Sequence, residues 1–175
     1  MTTPQGLYIW GSVGRGKTYL MDIFYNCIQT KQKQRMHFHR FMLEVHQQLK
    51  KTSNQENPLD IVADHLRKDT RLICLDEFFV SDIGDAMILA GLLKALFTRG
   101  ITIVTTSNCT PDMLYHNGLQ RQRFLPAIEL IKNNMQTIEL GGNIDHRLRY
   151  LQSANIYYCP LNDCLLYTSP SPRDS

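Results

Sequence analysis

Gly11-Ser12-Val13-Gly14-Arg15-Gly16-Lys17-Thr18 is a complete G-x-x-x-x-G-K-T octet standing between an apolar run and a stretch with helical spacing. Three glycines let the backbone curl until several N–H groups face one phosphate. The lysine then reaches the β- and γ-phosphates, and the threonine hydroxyl is placed to hold Mg²⁺. Such a loop works only where a strand delivers it and a helix leaves it. Leu7, Tyr8, Ile9 and Trp10 read as a short buried strand, and Leu20, Ile23, Phe24, Cys27 and Ile28 recur at helical spacing in the following segment. The octet from Gly11 to Thr18 is therefore expected to cradle ATP, with Mg²⁺ on Thr18.

Hydrolysis needs a second, acidic element. Leu72, Ile73, Cys74 and Leu75 run directly into Asp76 and Glu77, the pattern of a buried parallel strand delivering acids to its carboxyl edge, where open α/β sheets bind ligands. Asp76 is expected in the second shell of Mg²⁺. Glu77 points elsewhere and is placed to polarise the attacking water as general base. A third element, Ile101 to Asn108, is a β-branched strand ending in polar residues. Asn108 can hold the water or a γ-phosphate oxygen, although Asn, Thr and Pro there are also ordinary turn chemistry. Phosphate loop, acidic pair and strand-terminal Asn in this order give the layout of an AAA-type ATPase. Beyond them, Arg121 and Arg123 open a helix, where positive charge opposes the macrodipole, so a partner is expected. In AAA-type enzymes an arginine from this region is supplied to a neighbouring subunit's nucleotide.

Several stretches are narrower than the phosphate loop. His37-Phe38-His39-Arg40-Phe41-Met42 and Gly118-Leu119-Gln120-Arg121-Gln122-Arg123-Phe124-Leu125-Pro126 are the most specific, joined by Asp76 to Ile83, Thr106-Ser107-Asn108 and Asp145-His146-Arg147-Leu148-Arg149. Together they resemble the ZapE family of bacterial cell-division ATPases, from about Gly6 to about Asp163. The resemblance implies an ATP-hydrolysing enzyme in the bacterial cytoplasm, recruited to the division site, where it remodels polymers of the tubulin-like protein FtsZ. It also implies self-association into a ring with an arginine finger in trans. Where the family often has Asp-Tyr-Arg, this chain has Asp145-His146-Arg147.

The fold expected is α/β, a P-loop NTPase of the AAA/ASCE type with a five-stranded parallel sheet flanked by helices. The segments place strands at Leu7–Trp10, Met36–Arg40, Leu72–Asp76, Ile101–Thr106 and Gln136–Leu140, with helices between them. The core is expected to span residues 1–163, truncated at both ends and lacking the helical lid. Residues 164–175 lose all periodicity and end in a Ser/Pro repeat resembling translated read-through of a sequencing-library adapter, so they are excluded from fold reasoning as a non-native, disordered tail.

Composition fits one globular domain: 43% hydrophobic, 20% charged and a net charge of +3, too small by itself to point to nucleic acid. No membrane span is expected. Lys31 to Arg35 form a basic run that reads as a solvated loop. The cysteines at 27, 74, 109, 159 and 164 show no paired metal spacing, which suits free thiols. His37 and His39 lack a third ligand at metal-like spacing. Phe41 and Met42 either grip a polypeptide in a ring channel or pack into the core. The alternative function is a helicase-loader-type P-loop ATPase associated with nucleic acid, which shares the phosphate loop, acids and Asn but lacks the narrow signatures.

Overall fold

Strand β1, Gly6–Trp10, runs through the middle of the protein because each of its faces finds apolar cover. Leu7 and Ile9 point to one side and Tyr8 to the other, and all three are buried. In the computed structural model, which describes residues 4–12 and 16–141, β1 is followed by α1 (Gly16–Cys27), β2 (Lys33–His37), α2 (Phe38–Lys51), α3 (Pro58–Asp69) and β3 (Leu72–Asp76). Then come α4 (Ile83–Thr98), β4 (Thr102–Ser107), a 3₁₀ turn at Pro111–Met113, α5 (Arg121–Asn134) and β5 (Met135–Glu139).

The five strands are parallel in the order β2-β3-β4-β1-β5. Strand β4 thus separates the strand that feeds the phosphate loop from the strand that ends in Asp76. Close spacing at β1 requires glycine: a Cβ at Gly6 would stand 2.0 Å from the Ile103 carbonyl oxygen. Helix α1 covers the face carrying Leu7, Ile9, Leu72, Cys74 and Val104. Residues of α2, α3, α4 and α5 join Tyr8, Ile73, Leu75 and Ile103 in a larger core on the other face. Local signals set the helix starts. Pro58 opens α3 at its first turn, and Asp82 Oδ2 accepts a hydrogen bond from the Asp85 N–H at 3.2 Å to cap α4.

The second strand departs from the sequence expectation. Lys33 to Arg35 belong to β2 rather than to a solvated loop, and the strand ends at His37, where α2 begins at once. The backbone pairs with β3, whose buried Leu72–Asp76 run recruits a partner strand whatever its side chains. His37 and His39 therefore sit on different elements. Phe41 and Met42 are 4% and 1% exposed on α2 and belong to the core, which removes the channel reading. Cys74 and Cys109 are free thiols, the first of them buried in β3. Val13, Gly14 and Arg15, the Asp145-His146-Arg147 segment and the 164–175 tail lie outside the described residues.

Candidate active site

The carboxyl ends of β1, β3 and β4 lead into the phosphate loop, the acidic pair and Asn108. Gly11 leaves β1 with its N–H donating to the Ser107 carbonyl of β4 at 3.1 Å. A Cβ there would come within 2.5 Å of the Leu140 carbonyl oxygen, so the position admits only glycine. Ser12 is exposed, and Gly16, Lys17 and Thr18 form the first turn of α1. Lys17 is buried, and its ammonium donates to the carbonyls of Gly11 at 3.0 Å and Ser12 at 2.5 Å. Desolvation lowers its pKa. The ammonium is thereby held at the mouth of the loop, where an anion would replace carbonyl oxygens as its partner. The Thr18 side chain is exposed at the helix start.

Asp76, the last residue of β3, is buried. The Arg35 Nε and Nη2 atoms donate to its two carboxylate oxygens at 2.8 and 3.2 Å, while Arg35 Nη1 donates to Asp22 of α1. Hydrogen bonding to Asp76, and then to Asp22, raises the guanidinium pKa further above its already high value. One residue on, the backbone turns sharply. Glu77 has φ of 56°, the left-handed region that a residue with a Cβ occupies only under constraint. That constraint comes from β4: Thr106 Oγ1 accepts the Glu77 N–H at 3.1 Å and the Thr106 carbonyl accepts the Phe78 N–H at 2.7 Å. Phe78 is then locked into the core, its ring centroid 4.4 Å from that of Phe38. The turn throws the Glu77 side chain outward, 78% exposed, with its carboxylate 3.7 Å from His37 Nε2.

Asn108 follows β4 directly and is exposed. Glu77 and Asn108 line one cleft of about 740 Å³ together with Phe38, His39 and Met42 of α2 and Asp82 before α4. Lys17 and Thr18 are not part of that lining, so the acid and the amide face space shared with α2. The two arginines at the start of α5 have different surroundings. Arg121 donates to the carbonyls of Tyr115 at 3.1 Å, Asp112 at 2.5 Å and Leu114 at 3.2 Å, which fixes the preceding loop. Arg123 is exposed and donates to Gln120 Oε1 at 3.3 Å.

The donor set suits a nucleotide with a hard divalent cation. A threonine hydroxyl is an oxygen ligand Mg²⁺ takes beside phosphate and water, and a carboxylate can hold such a water from the second shell. A helix N-terminus and a lysine suit phosphate oxygens. Sequence reasoning missed Arg35, Thr106 and His37. Thr106 stood in a quoted motif without a role. Arg35 was hidden in a basic run whose strand character came from β3, and the alternation of Lys33, Arg35 and His37 was the signal available.

The family model of AFG1-like ATPases matches residues 1–168. The chain belongs to the AFG1-like ATPase family. It is 56% identical over 162 residues to the cell division protein ZapE of Escherichia coli K12, covering 93% of this chain and 43% of that protein. It is 43% identical over 167 residues to lactation elevated protein 1 homolog B of Danio rerio, covering 89% of this chain and 33% of the relative. The chain thus spans less than half the length of either relative. Among solved structures, domain III of the Thermotoga maritima replication initiation protein DnaA superposes with a TM-score of 0.59 at 17% identity, covering 86% of this chain and 60% of that one. At that identity the likeness is one of fold, and it agrees with the P-loop α/β architecture seen here.

Proposed function

We propose that this AFG1-like chain is the catalytic core of an Mg²⁺-dependent ATPase that acts in bacterial cell division by remodelling FtsZ polymers. The observation that carries the catalytic reading is the placement of Glu77. It follows the buried Asp76 on a left-handed turn pinned by Thr106, and its carboxylate projects into a cleft beside Asn108. Backbone strain of this kind persists where the surroundings over-determine it, and it aims a side chain that a relaxed turn would leave elsewhere.

Each residue then has a task. The octet from Gly11 to Thr18 binds the triphosphate, with Lys17 exchanging its carbonyl partners for β- and γ-phosphate oxygens. Mg²⁺, when bound, would supply positive charge to offset that of the phosphates. Thr18 and Asp76 are the protein groups that would hold it. Glu77 accepts a proton from the attacking water, and Asn108 orients that water or a γ-phosphate oxygen. Arg123 is the finger offered to a neighbouring copy in a ring, and Arg121 holds the loop that presents it. Leu119 and Leu125, 72% and 42% exposed on either side of Arg123, are apolar surface that such a neighbour would cover.

The role in division and the FtsZ partner are supported by the similarity to ZapE and by the two narrow signatures, together with the expected site of action in the bacterial cytoplasm at the division site. Among the described residues no helix is long and apolar enough to cross a membrane. The helicase-loader alternative has only fold likeness behind it. Co-sedimentation of the purified chain with polymerised FtsZ, with and without ATP, tests the assignment. ATP-dependent pelleting with FtsZ is expected. Salt-sensitive binding to DNA without FtsZ binding would favour the alternative.

A further inference from the structure

The Arg35 guanidinium joins two elements on different sides of the nucleotide site. It holds both oxygens of Asp76 at the end of β3 and, with its remaining Nη, Asp22 on α1. Asp22 lies four residues after Thr18, so the two share a face of α1. The side chains of Arg35 and Asp76 are only 22% and 12% exposed, while Asp22 is 51% exposed. Exposed ion pairs between flexible side chains contribute little. This one differs, because a planar fork on both oxygens of a nearly buried carboxylate fixes the plane of that carboxylate.

We propose that Arg35 is a positioning residue for the divalent cation: by bridging Asp22 to Asp76, it sets the spacing between the Thr18 hydroxyl and the Asp76 carboxylate. The inference rests on the roles given to Thr18 and Asp76 above. Mg²⁺ demands near-octahedral geometry with ligands at about 2.0–2.1 Å and keeps several waters. A small error in that spacing is therefore felt at the cation, while the phosphates remain on Lys17 and backbone N–H groups. A carboxylate offers roughly four lone-pair sites. Arg35 engages two on Asp76 and leaves the others, in a fixed orientation, for water bound to the cation. Residues that orient metal-binding groups from behind typically change metal affinity by about 10–100-fold when removed.

The test is nucleotide binding by the purified chain, followed with a fluorescent ATP analogue in EDTA and then across a Mg²⁺ titration. Mg²⁺ should tighten binding to the parent chain. Arg35→Met should keep the EDTA affinity within about twofold and raise the Mg²⁺ concentration for half-maximal tightening by about tenfold, the low end for such supporting groups. Arg35→Lys, which keeps the charge but not the fork, should fall between. Asp22→Asn should move the titration the same way by less. If circular dichroism shows Arg35→Met unfolded, Arg35→Lys and Asp22→Asn carry the comparison. Identical Mg²⁺ titrations in every folded variant would overturn the proposal, and so would equal losses in EDTA and Mg²⁺, which mark a merely structural bridge. A failure of the underlying site reading looks different: Lys17→Ala would then bind the analogue as well as the parent does.

Discussion

Replacing Glu77 by alanine and by glycine separates what its backbone costs from what its side chain does. Asp76 is fixed in the sheet and Phe78 in the core, so the intervening residue must take φ of 56° whatever its side chain. The left-handed region costs an ordinary L-residue roughly 1–2 kcal/mol and glycine almost nothing. Glycine's greater freedom in the unfolded chain returns roughly 0.5–1 kcal/mol of that advantage. The Glu77 side chain is 78% exposed, with His37 Nε2 3.7 Å from its carboxylate, so truncation removes little packing. Glu77→Gly should therefore be more stable than Glu77→Ala by roughly 0.75 kcal/mol, the difference of the two midpoints, or about 1.5–3 °C in Tm for a chain of this size. Both should lose turnover by about 10²-fold or more, the range of a positioned base. Thermal melts of the two variants, with steady-state phosphate release alongside, make the comparison. An alanine variant as stable as the glycine variant would refute the constrained turn, and with it the argument that the turn aims the carboxylate.

Two further outcomes are expected. Arg123→Ala should bind ATP and hydrolyse it slowly, and mixing it with Lys17→Ala should restore part of the activity, since each would complete the other's site; no recovery in any mixture would end the trans assignment. Burial pushes the Cys74 thiol pKa up to about 12, so at pH 8 only about one thiol in ten thousand is thiolate; peptide mapping after iodoacetamide should find Cys74 unmodified in the native chain and modified in denaturant, and native labelling of Cys74 ahead of Cys109 would contradict the buried β3 core.

The parallel five-stranded sheet was legible because β1, β3 and β4 are buried almost throughout and each runs into a distinctive motif. Leu72 to Leu75 could hardly be read otherwise, and the start of α3 at Pro58 followed from the first-turn tolerance of proline. Strand β2 was displaced by three residues, since its side chains are polar and partly exposed and its pairing is dictated by β3 across the sheet. For the same reason Arg35 looked like surface charge: nothing local reveals that a register matching Arg35 to Cys74 brings its side chain to Asp76. Motif order singled out Lys17, Asp76, Glu77 and Asn108, and the structure places the last three at the carboxyl ends of β3 and β4. The left-handed turn at Glu77 was not, because a residue with a Cβ gives no sign of positive φ unless the surrounding contacts are known.

Measuring ATP affinity and turnover together in Lys17→Ala and Glu77→Gln decides whether a bound triphosphate is split by a water activated at Glu77. Lys17→Ala should lose binding. Glu77→Gln should bind ATP with nearly the parent affinity and turn over about 10²-fold more slowly or worse. Turnover by Glu77→Gln comparable to the parent's would rule out Glu77 as the base.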